Sequence, residues 1–424
     1  MRISQVVFDE KIYPRLAHDP TRVQQYADVL EVIEAAKHFI SVAADYRLID
    51  GRHRHLAYRT RYEKEPEHQI PVLVWPVTDD GDIFDLACDF NSDGNIQLTT
   101  ADKKRSAIWM YTQFQRTQEH IAKCLRIRLA DVNEWLSRIL KEQKDRENEQ
   151  ILDLWFACYT TPEIAARVGL KAHQNVSARL EELQESFWRK NFAKVSFQDD
   201  FDPPLYNIWK QQDKSNKVHH FGNTEAQWVH NLLYLYTAPF NIVVDPFGGG
   251  GSTIDTCRYR GRRFWVSDRK PTIAREDEIR KWDVVTDGLP PLHKRWHDVK
   301  LVYLDPPYWK QAEGEYSDDV TDLANMDLLT FTDTLSGMIR NVAKKLHPGA
   351  KIALVMQPTQ WKAPDKQYTD HVADMLRAVK LPLHMRFSVP YESQQCTAQM
   401  VDWAKSNKQC LVLSREIVVW EVEG

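Results

Sequence analysis

The chain has 424 residues, enough for two or three domains each with its own core. A hydrophobic fraction of 43% and a charged fraction of 27% are those of an ordinary globular protein, and no run approaches the roughly 18 apolar residues of a membrane span. The formal net charge of −4 excludes a global positive field, so a polyanion has to be met by local basic patches.

Residues 1–95 alternate short strands and helices. The segment 23–39 reads as one amphipathic helix, 41–50 as a strand hairpin, 51–63 as a basic helix opened by Gly51, and 69–77 as another strand. From 96 to 195 the pattern turns helical and carries two helix-turn-helix units. In the first, 117–139, the apolar positions Ile121, Leu125, Ile127, Val132 and Leu136 can share one small core. The second, 159–183, has Thr160 or Thr161 to cap its first helix, Pro162 in the first turn, and Gly169 where the connection wants positive φ. Between them KDRENEQ (144–150) reads as exposed helix. Residues 196–217 are polar and Pro-containing and read as the linker between domains; Asp202-Pro203-Pro204 within it lacks a preceding apolar strand and is taken as plain linker. Residues 218–424 alternate strand and helix, which predicts an α/β fold with a mostly parallel sheet.

The six cysteines (Cys88, Cys124, Cys158, Cys257, Cys396 and Cys410) read as scattered, with no CxxC pair and no His partner at metal spacing. The expectation is therefore no disulfide framework, no metal and a reducing, cytoplasmic setting. MRISQVVFDE has no apolar core of signal-peptide length, which fits the same setting.

The chemistry concentrates in two strand ends. The apolar strand at 241–245 runs into Asp245-Pro246-Phe247-Gly248-Gly249-Gly250-Gly251-Ser252-Thr253. Glycines there let the backbone turn sharply and approach a ligand, with a helix N-terminus behind it. No Lys follows them, which disfavours a phosphate-binding P-loop. Asp268 closes the next strand, where dinucleotide-type folds hold ribose hydroxyls. Further on, the strand at 299–304 delivers Asp305-Pro306-Pro307-Tyr308 at its C-terminal tip. An aniline-like amine on a base is a poor nucleophile because its lone pair is delocalised into the ring. The Asp305 carboxylate and the Pro306 carbonyl can accept its two N–H bonds and favour a pyramidal nitrogen. The two prolines stiffen the turn, and Tyr308 offers a face for stacking a flipped-out base.

With both motifs in one sheet, residues 218–424 resemble the N6-adenine/N4-cytosine DNA methyltransferase family. The resemblance implies a Rossmann-like sheet, S-adenosyl-L-methionine as cofactor, the Asp245–Thr253 stretch and Asp268 as cofactor-binding, and Asp305–Tyr308 as catalytic. It also aligns Asp283 with the contact to the cofactor's adenine amine, and Phe221-Gly222 with the segment that covers its methionine. Thr224 and Gln227 have capping-box spacing at the start of the next helix. An Asp-first motif leans towards adenine by this resemblance, with N4-cytosine as the alternative. Unlike many members, the cofactor motif here precedes the catalytic one, and little length remains after Tyr308 for a separate recognition domain. The loops 309–319 and 390–408 are the remaining candidates for that task.

Residues 46–60, with Asn91 further on, resemble the ParB/Spo0J-like N-terminal domain, a small α+β unit whose turn contacts nucleotide phosphates. Gly51, Arg52 and Arg54 align with that turn as an anion site, but Arg52 replaces its acidic residue, so hydrolysis is not carried over. Base contacts are expected from Arg128 and Asn133 in the first helix-turn-helix and from His173, Gln174 and Asn175 in the second. Together these resemblances imply a bacterial or phage-encoded, nucleoid-associated protein acting on double-stranded DNA. A homodimer and a restriction partner stay open. So do two rivals: a ParB-like regulator with an inactive methyltransferase domain, and a methyltransferase for RNA or for a planar amine such as the Gln side chain.

Overall fold

The computed structural model describes all residues except 16, 94–96, 171–172, 211–224, 276–277, 312, 315–316, 391–395 and 424. It forms two compact units, residues 1–146 and 147–424.

The first unit opens with α1 (Pro20–Asp28) and α2 (Leu30–Ala35). Asp19 caps α1 by accepting from the Thr21 and Arg22 amides, and Pro20 fits the first turn. The single helix expected over 23–39 is thus two, because the backbone leaves helical geometry at Val29 (φ −122°, ψ 22°). The expected hairpin forms as β1 (Ile40–Ala43) against β2 (Leu48–Asp50), and β3 (Val72–Trp75) pairs in parallel on the other side of β1. The basic helix is α3 (Arg52–Arg61), entered through Gly51 at φ 92°. Then come α4 (Asp80–Asp93), α5 (Thr100–Thr112), α6 (Gln118–Leu125) and the start of α7 (Leu129–Phe156). Ile121, Leu125, Val132 and Leu136 are all fully buried in one cluster with Ile127 against it, as their spacing predicted. The turn between α6 and α7 uses Arg126 in the left-handed region (φ 50°).

In the second unit, α8 (Thr161–Val168) starts after Thr160 as expected, and Glu163, not singled out in the sequence, accepts from both the amide and the hydroxyl of Thr160. Gly169 ends it at φ 78°, and α9 (His173–Val195) follows. Ile151 from the end of α7, Ile164, Ala165, Val176 and Leu180 make a small core for this helix-turn-helix. After α10 (Ala226–Tyr236) the chain alternates through β4 (Ile242–Asp245), α11 (Ser252–Tyr259), β5 (Arg263–Asp268), the two-residue β6 (Arg280–Lys281) and β7 (Val299–Leu304). It closes with α12 (Leu328–Ala343), β8 (Lys351–Met356), α13 (His371–Val379), β9 (Leu383–Ser388), α14 (Ala398–Asn407) and β10 (Glu416–Glu421). The seven-stranded sheet has the order β6-β5-β4-β7-β8-β10-β9. The first five are parallel, and β10 runs antiparallel between β8 and β9. β4, β7 and β8 are buried almost throughout, as strands covered on both faces must be. From β4 the chain first winds outward through β5 and β6, then returns to place β7 on the other side of β4. That reversal opens a crevice at the carboxyl ends of β4 and β7, where doubly wound sheets take their ligands.

The units part at 146/147, upstream of the linker expected at 196–217. The reason is packing: Phe156, Ala157 and Phe197 share a buried cluster with Val243, Phe264 and Val266 of the sheet, and Phe187 packs against it. Buried Arg262 donates to the Val195 carbonyl at 2.6 Å, and Arg260 to that of Lys194 at 2.7 Å. Composition sees a polar stretch; it does not see which earlier helices cover the sheet.

Candidate active site

The Gly-rich turn after β4 is held from three directions. Asp245, 2% exposed, accepts from the Thr253 hydroxyl (2.6 Å) and the Phe247 amide (2.9 Å). Asp268, at the tip of β5, accepts from the Gly249 amide (2.9 Å), so one carboxylate ties two adjacent strand ends together. Arg275, buried beneath the turn, donates to the Gly250 and Gly251 carbonyls and pairs with Asp255 and Glu278. Nothing in its local pattern marked Arg275, because its partners are spread along the chain. Gly251 stands at φ 84° as the entry to α11, whose first residues Ser252 and Thr253 are buried. A Cβ on Gly248 would sit 2.5 Å from a Val266 methyl and 3.1 Å from the Ser267 carbonyl oxygen, so only glycine lets the turn lie this close to β5.

Burial raises the Asp245 pKa to about 7, and the charges of Asp305 and Asp268 add to this against the two hydrogen bonds. The folded value lies above that of an unfolded aspartate, so the stability it contributes is present at low pH and lost as pH rises through about 7. Thermal unfolding should therefore show the protein losing stability, on the order of a few kcal/mol, between about pH 4 and 7. Asp245→Asn should flatten that loss, and an unchanged profile in the variant would assign the pH dependence elsewhere.

β7 presents Asp305 at the same edge. The Tyr308 hydroxyl donates to Asp305 Oδ1 at 2.8 Å, and Pro306 and Pro307 separate the two. The turn is anchored behind: the Trp309 indole N–H donates to the Met326 carbonyl (2.9 Å), and the Trp309 carbonyl accepts from the Thr359 hydroxyl (3.0 Å). His371, buried, bonds that same hydroxyl at 3.0 Å, and burial lowers its pKa to about 4, so the imidazole is neutral at neutral pH. Asp202-Pro203-Pro204, by contrast, lies in a loop after α9 with Asp202 exposed.

Of the other expected site residues, Asp283 accepts from the Val285 amide and faces Arg269 at 3.4 Å, a guanidinium that also meets Asp319 and Asp322. Phe221 and Gly222 lie outside the described residues. So does Thr224 of the expected capping box; Glu225 stands at the N-cap, and Gln227 donates to Asn231 instead. Arg128 and Asn133 are exposed at the start of α7, with Arg128 paired to Asp131 at 2.6 Å. Gln174 and Asn175 are exposed at the start of α9; the side chain of His173 is not among those described.

In the first unit a cavity of about 200 Å³ is lined by Tyr13, Arg15, Gly51, Arg52, Arg54 and Asn91, among others. Arg54 donates inward to the His38 and Phe39 carbonyls and to Asp50, and Arg52 donates to the Arg15 carbonyl while stacking on Phe8. The structure also corrects the dismissal of a histidine–cysteine pair: Asp85, His120 and Cys124 converge, with ligand atoms within 4.8 Å of one another. His120 and Cys124, four apart on α6, carried that signal in the sequence. The Arg116 guanidinium, 2.9 Å from the Asp85 oxygen that meets His120, competes with any cation there. Among the described residues no helix is long and apolar enough to cross a membrane.

Sheet order and strand-end carboxylates together define an α/β enzyme fold with a ligand crevice at its switch point. The chain belongs to the N6/N4 DNA methylase family: the family's sequence model, described as DNA methylase, matches residues 66–277, half of the chain. The match takes in Asp245, the four glycines and Asp268, and ends before Asp305. No curated protein matches the chain in sequence. Among solved structures it is similar to an rRNA methylase from Streptococcus thermophilus (11% identity, 46% of this chain and 96% of the other, TM-score 0.29). It is also similar to TrmN from Thermus thermophilus (18%, 46% and 48%, TM-score 0.27). A third likeness is to ParB from Caulobacter crescentus complexed to the centromeric parS site (18%, 32% and 68%, TM-score 0.24). At these scores the likenesses place neither site nor substrate. S-adenosylmethionine is the cofactor, and the edge fits it: a glycine turn too close to β5 for a Cβ, beside an acid at the strand tip.

Proposed function

We propose that the protein methylates the exocyclic amine of a base flipped out of double-stranded DNA, adenine N6 first and cytosine N4 as the alternative. The observation that carries this is Asp305 at the tip of β7, bonded to Tyr308 and directly across the switch point from the Gly-rich turn. Bound S-adenosylmethionine supplies an electrophilic methyl group on a sulfonium. Pro246, Phe247 and Gly248 to Gly251 would shape its seat, Asp268 its ribose contact and Asp283 its adenine contact. Asp245 holds the turn through Thr253 and so acts one layer behind. Asp305 and the Pro306 carbonyl would accept the two amine N–H bonds, the incoming amine taking the place of the Tyr308 hydroxyl on Asp305. Tyr308 then keeps its ring for stacking, worth roughly 1–3 kcal/mol per base.

The helix-turn-helix units support duplex DNA as the substrate. Arg128, Asn133, Gln174 and Asn175 are exposed where such units read base edges, and His173 shares the second position. The cavity at Gly51, Arg52 and Arg54 supports a small anion or nucleotide site in the ParB-like part. The test is nucleoside mass spectrometry of duplex DNA incubated with the protein and S-adenosylmethionine. N6-methyladenine is expected, N4-methylcytosine would select the alternative, and no methylated base would reject the reading.

A further inference from the structure

The segment after β8 is tied to the catalytic turn through Thr359, whose hydroxyl donates to the carbonyl of Trp309, the residue next to Tyr308. Two residues further on, the Trp361 ring meets Trp403 of α14 edge-to-face, with centroids 5.6 Å apart at 80°. The Lys366 ammonium sits over both, 4.0 Å from the Trp361 centroid and 5.2 Å from that of Trp403. Asp365 and Lys366 both occupy the left-handed region (φ 56° and 52°), a costly backbone for residues with side chains, and it folds the lysine back onto the rings. Among the described residues no carboxylate lies within ion-pair distance of Lys366, although Asp365 is its neighbour. α14 buries only Ala404 of its own residues, and Trp361, Lys366 and Trp403 are each half-buried.

We propose that Trp361, Lys366 and Trp403 form a clasp for a DNA phosphate beside the target base, giving the catalytic unit its own hold on the strand it modifies. An ammonium held over two aromatic faces offers its N–H donors to an oxyanion. The segment that carries it leaves β8 at the same sheet edge as the catalytic turn and is tied to that turn by Thr359, which favours the substrate of the same site as the source of that oxyanion. Lys366 makes the contact; Trp361 and Trp403 are positioning residues. The inference rests on the DNA-methylating reading above, and its test is independent of turnover.

The experiment is fluorescence anisotropy of the full chain on a labelled duplex, over a range of salt concentrations. Lys366→Gln is expected to reduce the slope of log affinity against log salt by about 0.9, the loss of one phosphate contact, while Lys366→Arg keeps it. Trp403→Ala should raise Kd, and Trp403→Phe should restore it. Calorimetry with S-adenosylmethionine should be unchanged in every variant, which separates a lost contact from a damaged fold. A Lys366→Gln chain with the wild-type slope overturns the clasp, including the case in which the rim serves an acidic protein instead. If the wild type binds duplex but leaves no methylated base, the functional reading fails while the slope still decides the clasp. A wild type that binds no duplex rejects both.

Discussion

Asp305→Ala is expected to lose about 10²–10³-fold in kcat, the size seen when one preorganised partner is removed from a reacting group, while S-adenosylmethionine binds within about twofold of wild type. The separation follows from position. Asp305 stands on β7 and bonds Tyr308, whereas the cofactor turn is held by Asp245, Asp268 and Arg275 on the other side of the switch point. Two controls sharpen it. Tyr308→Phe removes the hydroxyl but keeps the ring, so it should retain most of the rate. Removing the Asp305 charge also takes away one cause of the raised Asp245 pKa, so the pH-dependent loss of stability should move to lower pH in Asp305→Ala. Near wild-type turnover in a folded Asp305→Ala protein would end the assignment of Asp305 as the group that holds the amine.

The second large effect concerns where the chain can be cut. A fragment beginning at 218 is expected not to fold, although composition alone would place a domain start there. It removes Phe156 and Phe197 from the cluster that covers the sheet, together with Phe187 packed against it, and it deprives buried Arg260 and Arg262 of their carbonyl partners. Losing a single buried phenylalanine side chain costs about 3–5 kcal/mol, and a whole domain is stable by only about 5–15 kcal/mol. A fragment from 147 keeps all of these contacts and should fold and bind S-adenosylmethionine. It should also bind duplex more weakly than the full chain, because the first helix-turn-helix is gone. Soluble expression, circular dichroism and calorimetry of the two fragments decide this. A well-folded 218–424 fragment would show that α8 and α9 are accessory rather than part of the core.

The sequence by itself determined the local structure and the chemical vocabulary of the site. Thr160 at the helix start, Gly169 and the apolar spacing of Ile121 to Leu136 act over one or two turns of chain, and each takes the place its pattern requires. The Asp245–Thr253 turn and Asp305–Tyr308 are contiguous, so their residue types were legible without a fold. Long-range placement was decided by tertiary structure alone. The β6-β5-β4-β7 order brings Asp245, Asp268 and Asp305 to one edge, and no local periodicity encodes which strand lies beside which. Arg275 under the glycines, Trp403 against Trp361, and Asp85 beside His120 and Cys124 join residues that adjoin only after folding. The unit boundary at 146/147 follows from the same physics: helices before the polar linker bury their aromatic faces on the sheet, and burial is a property of the packed chain, not of any one segment.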